Sequence, residues 1–267
     1  MPLPLFQVDA FTNEPFKGNP AGVCLLDTPR PDAWMQAVAR EMNLSETAFL
    51  LPETDGFRLR WFTPAVEVRL CGHATLASAH ILYEFGFYEP DEVIKFYTKS
   101  GLITSSFSRG TIELDMPRRD PKPVTMVEGL LDVVGIQPVQ VMGYEHKQLL
   151  VELPTPEDVE NFVPDFAKIK QLAYPDLILT AACDCVKYDF ISRFFSPKTG
   201  INEDPVTGMA HCVLGPYWAT KLEKTKFHAY QASKRGGEVW VRLGTDRTYV
   251  GGKAITVAAG ELLHQRD

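Results

Sequence analysis

The chain has 267 residues, 45% hydrophobic and 23% charged, with a formal net charge of −7. That is the make-up of an ordinary folded, water-soluble protein, long enough for two units of about 100 to 150 residues. The acidic balance, with no basic run beyond a pair such as Arg118-Arg119, argues against a nucleic-acid footprint. No apolar run approaches the roughly 18 residues of a membrane span, and the first residues, MPLPLFQVDAF, lack the basic-then-apolar order of a leader. No membrane association and a cytoplasmic location are therefore expected. The five cysteines are scattered apart from Cys183-Asp184-Cys185, which makes no disulfide framework.

In chain order, Leu3 to Phe11 reads as a strand, Asn13 to Gly22 as a turn-rich loop and Val23 to Leu26 as a second strand. Pro31 to Met42 has apolar residues at helical spacing, and Asn43 can end that helix. Ser45 and Glu46 precede a strand at Thr47 to Leu51, and Phe57 to Phe62 alternates as a half-buried strand does. Ala74 to Phe85 is apolar on nearly every side, the mark of a helix buried within its own domain. Strands near Ile94, Leu102 and Thr111 follow, and then Pro117 to Pro123, with three prolines in seven residues, reads as a linker. The domains are therefore set at 1–117 and 124–267, with the final strand free to return to the first domain. The second part repeats the order: strands near Val139 and Leu149, a helical region after Pro156, strands at Leu177 to Ala181 and Tyr188 to Phe194, an apolar helix from Met209 to Trp218, and closing strands at Glu238 to Leu243 and Thr248 to Val257.

The two halves are related. Sliding Trp61 to Ala79 by 133 positions lays it without a gap on Phe194 to Cys212: Phe62 meets Phe195, Pro64 meets Pro197, and Thr47-Ala48 meets Thr180-Ala181. At this offset Cys71 falls on Asp204, His73 on Val206 and Thr75 on Gly208, so a symmetric scaffold carries asymmetric chemistry. Each half then offers the amino end of a buried helix, whose unpaired N–H groups and dipole favour an anion. If the halves face each other across a pseudo-twofold axis, both helix ends open on one cleft. Gly72 and Gly208 let a ligand approach the backbone; the plainer reading makes the glycines turn formers and Thr207 a helix cap.

Glu46 lies in NLSETAFL, an apolar setting where a carboxylate is costly unless paired or protonated. His73 occupies the centre of the repeated stretch, and Asp204 stands beside Glu203 in its second copy. There is no GxGxxG, P-loop, HExxH or CxxC, and CxC alone is a weak metal signal. Neither a metal nor a cofactor is expected: His73 and His80, two helical turns apart, read as core more than as a ligand pair, while His73 by its place in the repeat reads as catalytic or ligand-orienting.

Four separated motifs carry a resemblance: DAFT-x5-GNPAGV, NLSETA from Asn43, WFTPAVEVRLCGHATLASA and EDPVTGMAH. Together they resemble the phenazine-biosynthesis PhzF-like family from Val8 to about Gly260. The resemblance implies an α+β fold of two pseudo-symmetric domains, each a barrel-like sheet around a central helix as in diaminopimelate epimerase, with the site between them, and a homodimer. It implies a cofactor-independent isomerase acting on a small anionic metabolite. Glu46 matches the family's catalytic glutamate, which takes a proton from one carbon and returns one to another, and its carboxyl is expected to have a raised pKa. His73 and Asp204 match its supporting residues, and Ser45, Gly72 and Gly208 match substrate contacts, with Thr75, Thr207 and Met209 beside them. Met209 departs from the serine common in phenazine-making members. Two alternatives stand: an epimerase or racemase using Cys71 with a facing acid, and a non-catalytic binding or scaffold protein.

Overall fold

The computed structural model describes residues 2–263 apart from 126, 146, 184 and 185. The chain forms two units, Met1–Asp115 with Gly251–Asp267, and Met116–Val250. Unit 1 contains β1 (Leu3–Ala10), β2 (Asn19–Leu25), α1 (Asp32–Met42), β3 (Glu46–Glu53), β4 (Gly56–Phe62), β5 (Glu67–Val68), α2 (Gly72–Glu84), β6 (Ile94–Thr98), β7 (Gly101–Ser108) and β8 (Thr111–Pro117), whose last residues enter unit 2. Unit 2 contains β9 (Lys122–Pro123), α3 (Leu130–Val134), β10 (Gln140–Tyr144), β11 (Gln148–Glu152), α4 (Pro156–Glu160), α5 (Phe166–Ile169), β12 (Asp176–Ala182), β13 (Phe190–Ser196), β14 (Ile201–Asp204), α6 (Gly208–Leu222), β15 (Lys226–Gln231), β16 (Gly237–Leu243) and β17 (Arg247–Gly252). The final strand, β18 (Ala254–Leu262), runs antiparallel to β1 and so belongs to unit 1.

The pairing order repeats. In unit 1, β1 and β2 are antiparallel, β2 and β3 parallel, β3 and β4 antiparallel, β4 and β6 parallel, and β6 and β7 antiparallel. In unit 2 the same sequence of pairings joins β10, β11, β12, β13, β15 and β16. Within each unit the sheet holds one long helix that is apolar on all sides. Gly72 through Ala79, Ile81 and Leu82 of α2 are buried, as are Ala210 through Trp218 of α6. A helix without a polar face has no stable place at a surface, so the sheet wraps it. The α2 helix packs on β1, β2, β3 and β18.

Three sequence-based expectations change. The proline-rich segment is not a loose linker: Lys122 and Pro123 pair with β10 as β9, and the Arg119 N–H donates to the Cys212 carbonyl. That carbonyl is available because Pro216, four residues on inside α6, has no N–H to give it. The gapless offset of 133 also fails at the site. It holds for the strands, where Phe57 pairs with Phe96 as Phe190 pairs with Ala229. The helices start at Gly72 and Gly208, an offset of 136, because the hairpin from β13 to β14, which has a bulge, is three residues longer between Phe194 and Asp204 than the one between Trp61 and Val68. His73 therefore corresponds to Met209, not Val206, and Cys71 to Thr207, not Asp204. The Thr47-Ala48 match also breaks, since Phe62 faces Thr47 across the hairpin while Phe195 faces Leu177. Finally, β15 was not foreseen, because KFHAYQ offers only Phe227 and Ala229 as an apolar alternation.

The turn ahead of β2 is set by Gly18, whose φ is +60° and where an added Cβ would lie 2.1 Å from the Ala10 carbonyl oxygen. The same loop is held by Asp9, buried, which accepts from the Phe16 N–H at 2.7 Å. Gly110 has a similar φ of +78° but open space around it. Replacing Gly110 with Ala should therefore cost only the left-handed backbone penalty, about 1–2 kcal/mol. Gly18→Ala should cost clearly more, because backbone must also move. Urea unfolding of the two variants measures the difference, and equal midpoints would refute this account of the turn.

Candidate active site

Glu46 is the first residue of β3, not a residue ahead of it, and is 8% exposed. It arrives there because Asn43 ends α1 in the left-handed conformation, with φ of 50°, and turns the chain directly into the strand. In the parallel pair, Glu46 lies beside Ala21, two residues after Asn19 at the start of β2. The α2 helix, which begins at Gly72 instead of Ala74, packs on both strands and brings His73 in on its first turn.

The distances define a cluster. The Asn19 amide Nδ2 donates to His73 Nδ1 at 3.1 Å, and the Cys71 thiol sulfur lies 3.5 Å from the same nitrogen. On the other side of the ring, His73 Nε2 is 3.3 Å from Glu46 Oε2, close enough for an ion pair but not aligned as a hydrogen bond. His73 is 4% exposed, and Nε2 has no hydrogen-bond partner among the described residues. Burial pushes its pKa down to about 3, so the imidazole is neutral near pH 7. With the Asn19 amide NH2 at Nδ1, the neutral ring accepts there and carries its proton on Nε2, on the side where Glu46 lies but out of hydrogen-bond alignment with it. The cluster is a carboxylate facing a neutral N–H donor.

One carboxylate oxygen, one sulfur and one ring nitrogen from Glu46, Cys71 and His73 lie within 4.8 Å of one another, a set of donor types known from zinc sites. With Nδ1 already accepting and Nε2 protonated, however, the imidazole offers no spare lone pair. Asp184 and Cys185 of the CxC stretch lie outside the described residues.

In unit 2, Asp204 ends β14 and is 8% exposed. The Thr207 hydroxyl donates to Asp204 Oδ2 at 2.5 Å, so Thr207, although it stands at the N-cap of α6, does not cap it. Gln231 ties the two together, donating to the Asp204 carbonyl and accepting from the Thr207 N–H. Glu203, in contrast, is committed to Arg193, which is buried and also donates to the Phe162 carbonyl. Met209 is half-buried with its sulfur 3.6 Å from Arg119 Nη2. Ser45 is half-buried ahead of β3, and Gly72 and Gly208 open their helices, buried.

Thr75 does not present its hydroxyl to the site. The Thr75 hydroxyl donates to the Cys71 carbonyl, and at the corresponding place in unit 2 His211 Nδ1–H donates to the Thr207 carbonyl at 2.9 Å. The two side chains do the same work at the amino ends of α2 and α6. Neither helix has a side-chain cap or an acidic residue in its first turn, which keeps the positive end of each dipole uncompensated by its own sequence. Sequence reasoning missed Asn19, which it quoted within GNPAGV without a role, and His211. Only a structure could show that both touch a helix start.

His211 is also fully buried, and its pKa is pushed down to about 4. The unfolded chain, with histidine pKa values near 6.5, takes up protons at His73 and His211 that the folded chain refuses. Stability is thus full above about pH 6.5 and falls on acidification toward pH 4, by up to about 1.4 kcal/mol per pH unit for each histidine. The variant His211→Asn, whose amide can replace the Nδ1 bond, is expected to lose its share of that slope in urea unfolding at pH 7 and pH 5. An unchanged slope would show that His211 does not carry it.

Comparison with known proteins agrees with this architecture. The family model described as phenazine biosynthesis-like protein matches residues 8–260. The chain is 52% identical to an uncharacterized isomerase of Halalkalibacterium halodurans, over 98% of this chain and 99% of that one. It is 41% identical to the human phenazine biosynthesis-like domain-containing protein, with the same shares covered. The crystal structure of a phenazine biosynthesis protein of the PhzF family from Enterococcus faecalis superposes with a TM-score of 0.93 at 39% identity, covering 99% of this chain and 100% of that one. With matches of this extent in sequence and in fold, the chain belongs to the phenazine biosynthesis-like family of isomerases, α+β proteins of two epimerase-like units.

Proposed function

We propose that the protein is a cofactor-independent isomerase that moves a proton between two carbons of a small carboxylate-bearing metabolite, with Glu46 as the acid and base. The observation that carries this reading is the buried Glu46 carboxylate facing the Nε2–H of a neutral His73. Histidine in this state cannot be the base. Its one bare nitrogen is occupied by Asn19, and a nitrogen with a pKa of about 3 is a weak proton acceptor near pH 7. Glu46 is left as the acceptor.

The substrate must have a C–H bond next to an unsaturated group. Glu46 takes that proton, the electron pair of the broken C–H bond moves into the neighbouring π system, and the proton returns from Glu46 to another carbon of the same system. No oxidation or reduction takes place, and atoms and charge balance. His73 Nε2–H supports the carboxylate and the negative charge that develops, and the uncapped start of α2 favours the substrate carboxylate. By resemblance, Asp204 has a supporting role and Ser45, Gly72 and Gly208 contact the substrate, with Thr207 and Met209 beside them.

A second reading, in which Cys71 acts as a base in an epimerase, is favoured by the 3.5 Å approach of its sulfur to His73 Nδ1. Against it, an imidazole with a pKa of about 3 draws a proton from a thiol, ordinarily near 8.5, only at great cost. Two substitutions separate the readings in an assay of solvent-deuterium incorporation into a panel of unsaturated carboxylates and amino acids. On any compound that the wild type exchanges, Glu46→Gln should lose about 10²- to 10⁴-fold in rate while still binding. Wild-type turnover by this variant would rule out the glutamate as shuttle. Cys71→Ser should keep most of the activity; complete loss with the fold intact would move the thiol reading to first place.

A further inference from the structure

The reading above gives Glu46 and His73 their roles and leaves open what makes His73 a donor toward Glu46. A neutral imidazole has two tautomers of nearly equal intrinsic energy, and the wrong one would turn a lone pair, instead of a proton, toward the carboxylate. We propose that Asn19 is the positioning residue that fixes this tautomer, its amide NH2 holding the proton off Nδ1 and so placing it on Nε2, opposite Glu46.

The argument is geometric. Asn19 is wholly buried and donates to Nδ1 at 3.1 Å, a normal bond length. Its place is fixed from three sides: it is the end rung of the β1–β2 ladder, opposite Ala10; it follows Gly18, whose turn tolerates no side chain; and β2 packs against α2. The second group at Nδ1, the Cys71 thiol, is both a weaker donor and a weaker acceptor than the amide, so the Asn19 NH2 decides the ring. In unit 2 the opposite arrangement is built with equal economy: the Thr207 carbonyl, a pure acceptor, faces His211 Nδ1 and draws the proton there. Two buried histidines thus hold opposite tautomers, each dictated by the group at Nδ1. Of these two, only His73 has a carboxylate across the ring, with Glu46 Oε2 3.3 Å from Nε2.

This inference rests on the assignment of Glu46 as proton carrier for its functional meaning, but its test does not. Nitrogen-15 spectra of histidine-labelled, ligand-free protein at pH 7, with the His73 signals identified by their loss in His73→Asn, read the tautomer directly. The wild type should show a pyridine-like Nδ1 and a pyrrole-like Nε2. Asn19→Asp, nearly isosteric, replaces the donor by an acceptor and should move a proton onto Nδ1, so that its shift becomes pyrrole-like. Cys71→Ala should leave the wild-type pattern in place. A wild-type Nδ1–H signature overturns the proposal without any variant. So does an Asn19→Asp protein that is folded by circular dichroism and keeps Nδ1 bare, or a Cys71→Ala protein that loses the pattern. Should Asn19→Asp not fold, the wild-type and Cys71→Ala spectra decide. Failure of Glu46→Gln to slow exchange, with the tautomer as stated, would count against the proton-shuttle reading alone.

Discussion

A helix that is apolar on every side cannot lie at a surface, and both α2 and α6 are of this kind. Each must be enclosed by the sheet of its own unit, and enclosure fixes what happens at its amino end. The first N–H groups of such a helix have no carbonyl four residues earlier to serve them. Elsewhere in the chain a side chain often meets that need, as Thr155 does in a full capping box at α4 and Asp165 does at α5. At α2 and α6 the position before the helix is Cys71 and Thr207, and neither caps. With no acidic residue in either first turn, these two ends are left unneutralised by their own sequence.

Correcting the internal alignment from 133 to 136 at the helices changes what the asymmetry means. Under the corrected offset the glycines Gly72 and Gly208 coincide, as do Thr75 and His211, which bond the same N-cap carbonyl in each unit. The scaffold is more symmetric than the sequence suggested. The chemical difference then falls on one pair, His73 against Met209, and on the strand ahead, where the Glu46 carboxylate faces His73. At the second helix a hydroxyl–carboxylate pair, Thr207 with Asp204, stands instead.

Much of this was legible in the chain itself. The helical spacing of Trp34 and Val38, the alternation of Phe57, Leu59 and Trp61, and the all-round apolar run after His73 each predict the element found, because those patterns report burial directly. Glu46 and His73 could be singled out because a carboxylate and an imidazole in apolar company are expensive. What could not be read was anything that depends on a loop's internal geometry. The longer, bulged hairpin between β13 and β14 leaves no mark on periodicity, yet it moves the alignment by three residues. The proline-rich segment looked like a linker because composition shows stiffness and not partners; its Arg119 N–H serves a carbonyl exposed by Pro216, nearly a hundred residues on. Asn19 was hidden for the same reason, since an asparagine beside a glycine normally signals only a turn.

The cluster around His73 also shows how a buried site settles proton positions by donor count. Three groups meet the imidazole: an amide that can only donate, a thiol that donates weakly and a carboxylate that accepts when ionised. Only one neutral tautomer satisfies all three. Burial removes the imidazolium as an alternative, since taking up a second proton would place that proton against the Asn19 amide and a charge in a dry interior. The ring is therefore held neutral, with Nε2 3.3 Å from the Glu46 carboxylate. On the proposed reading, the carboxylate is the member of the group that gains and loses the proton.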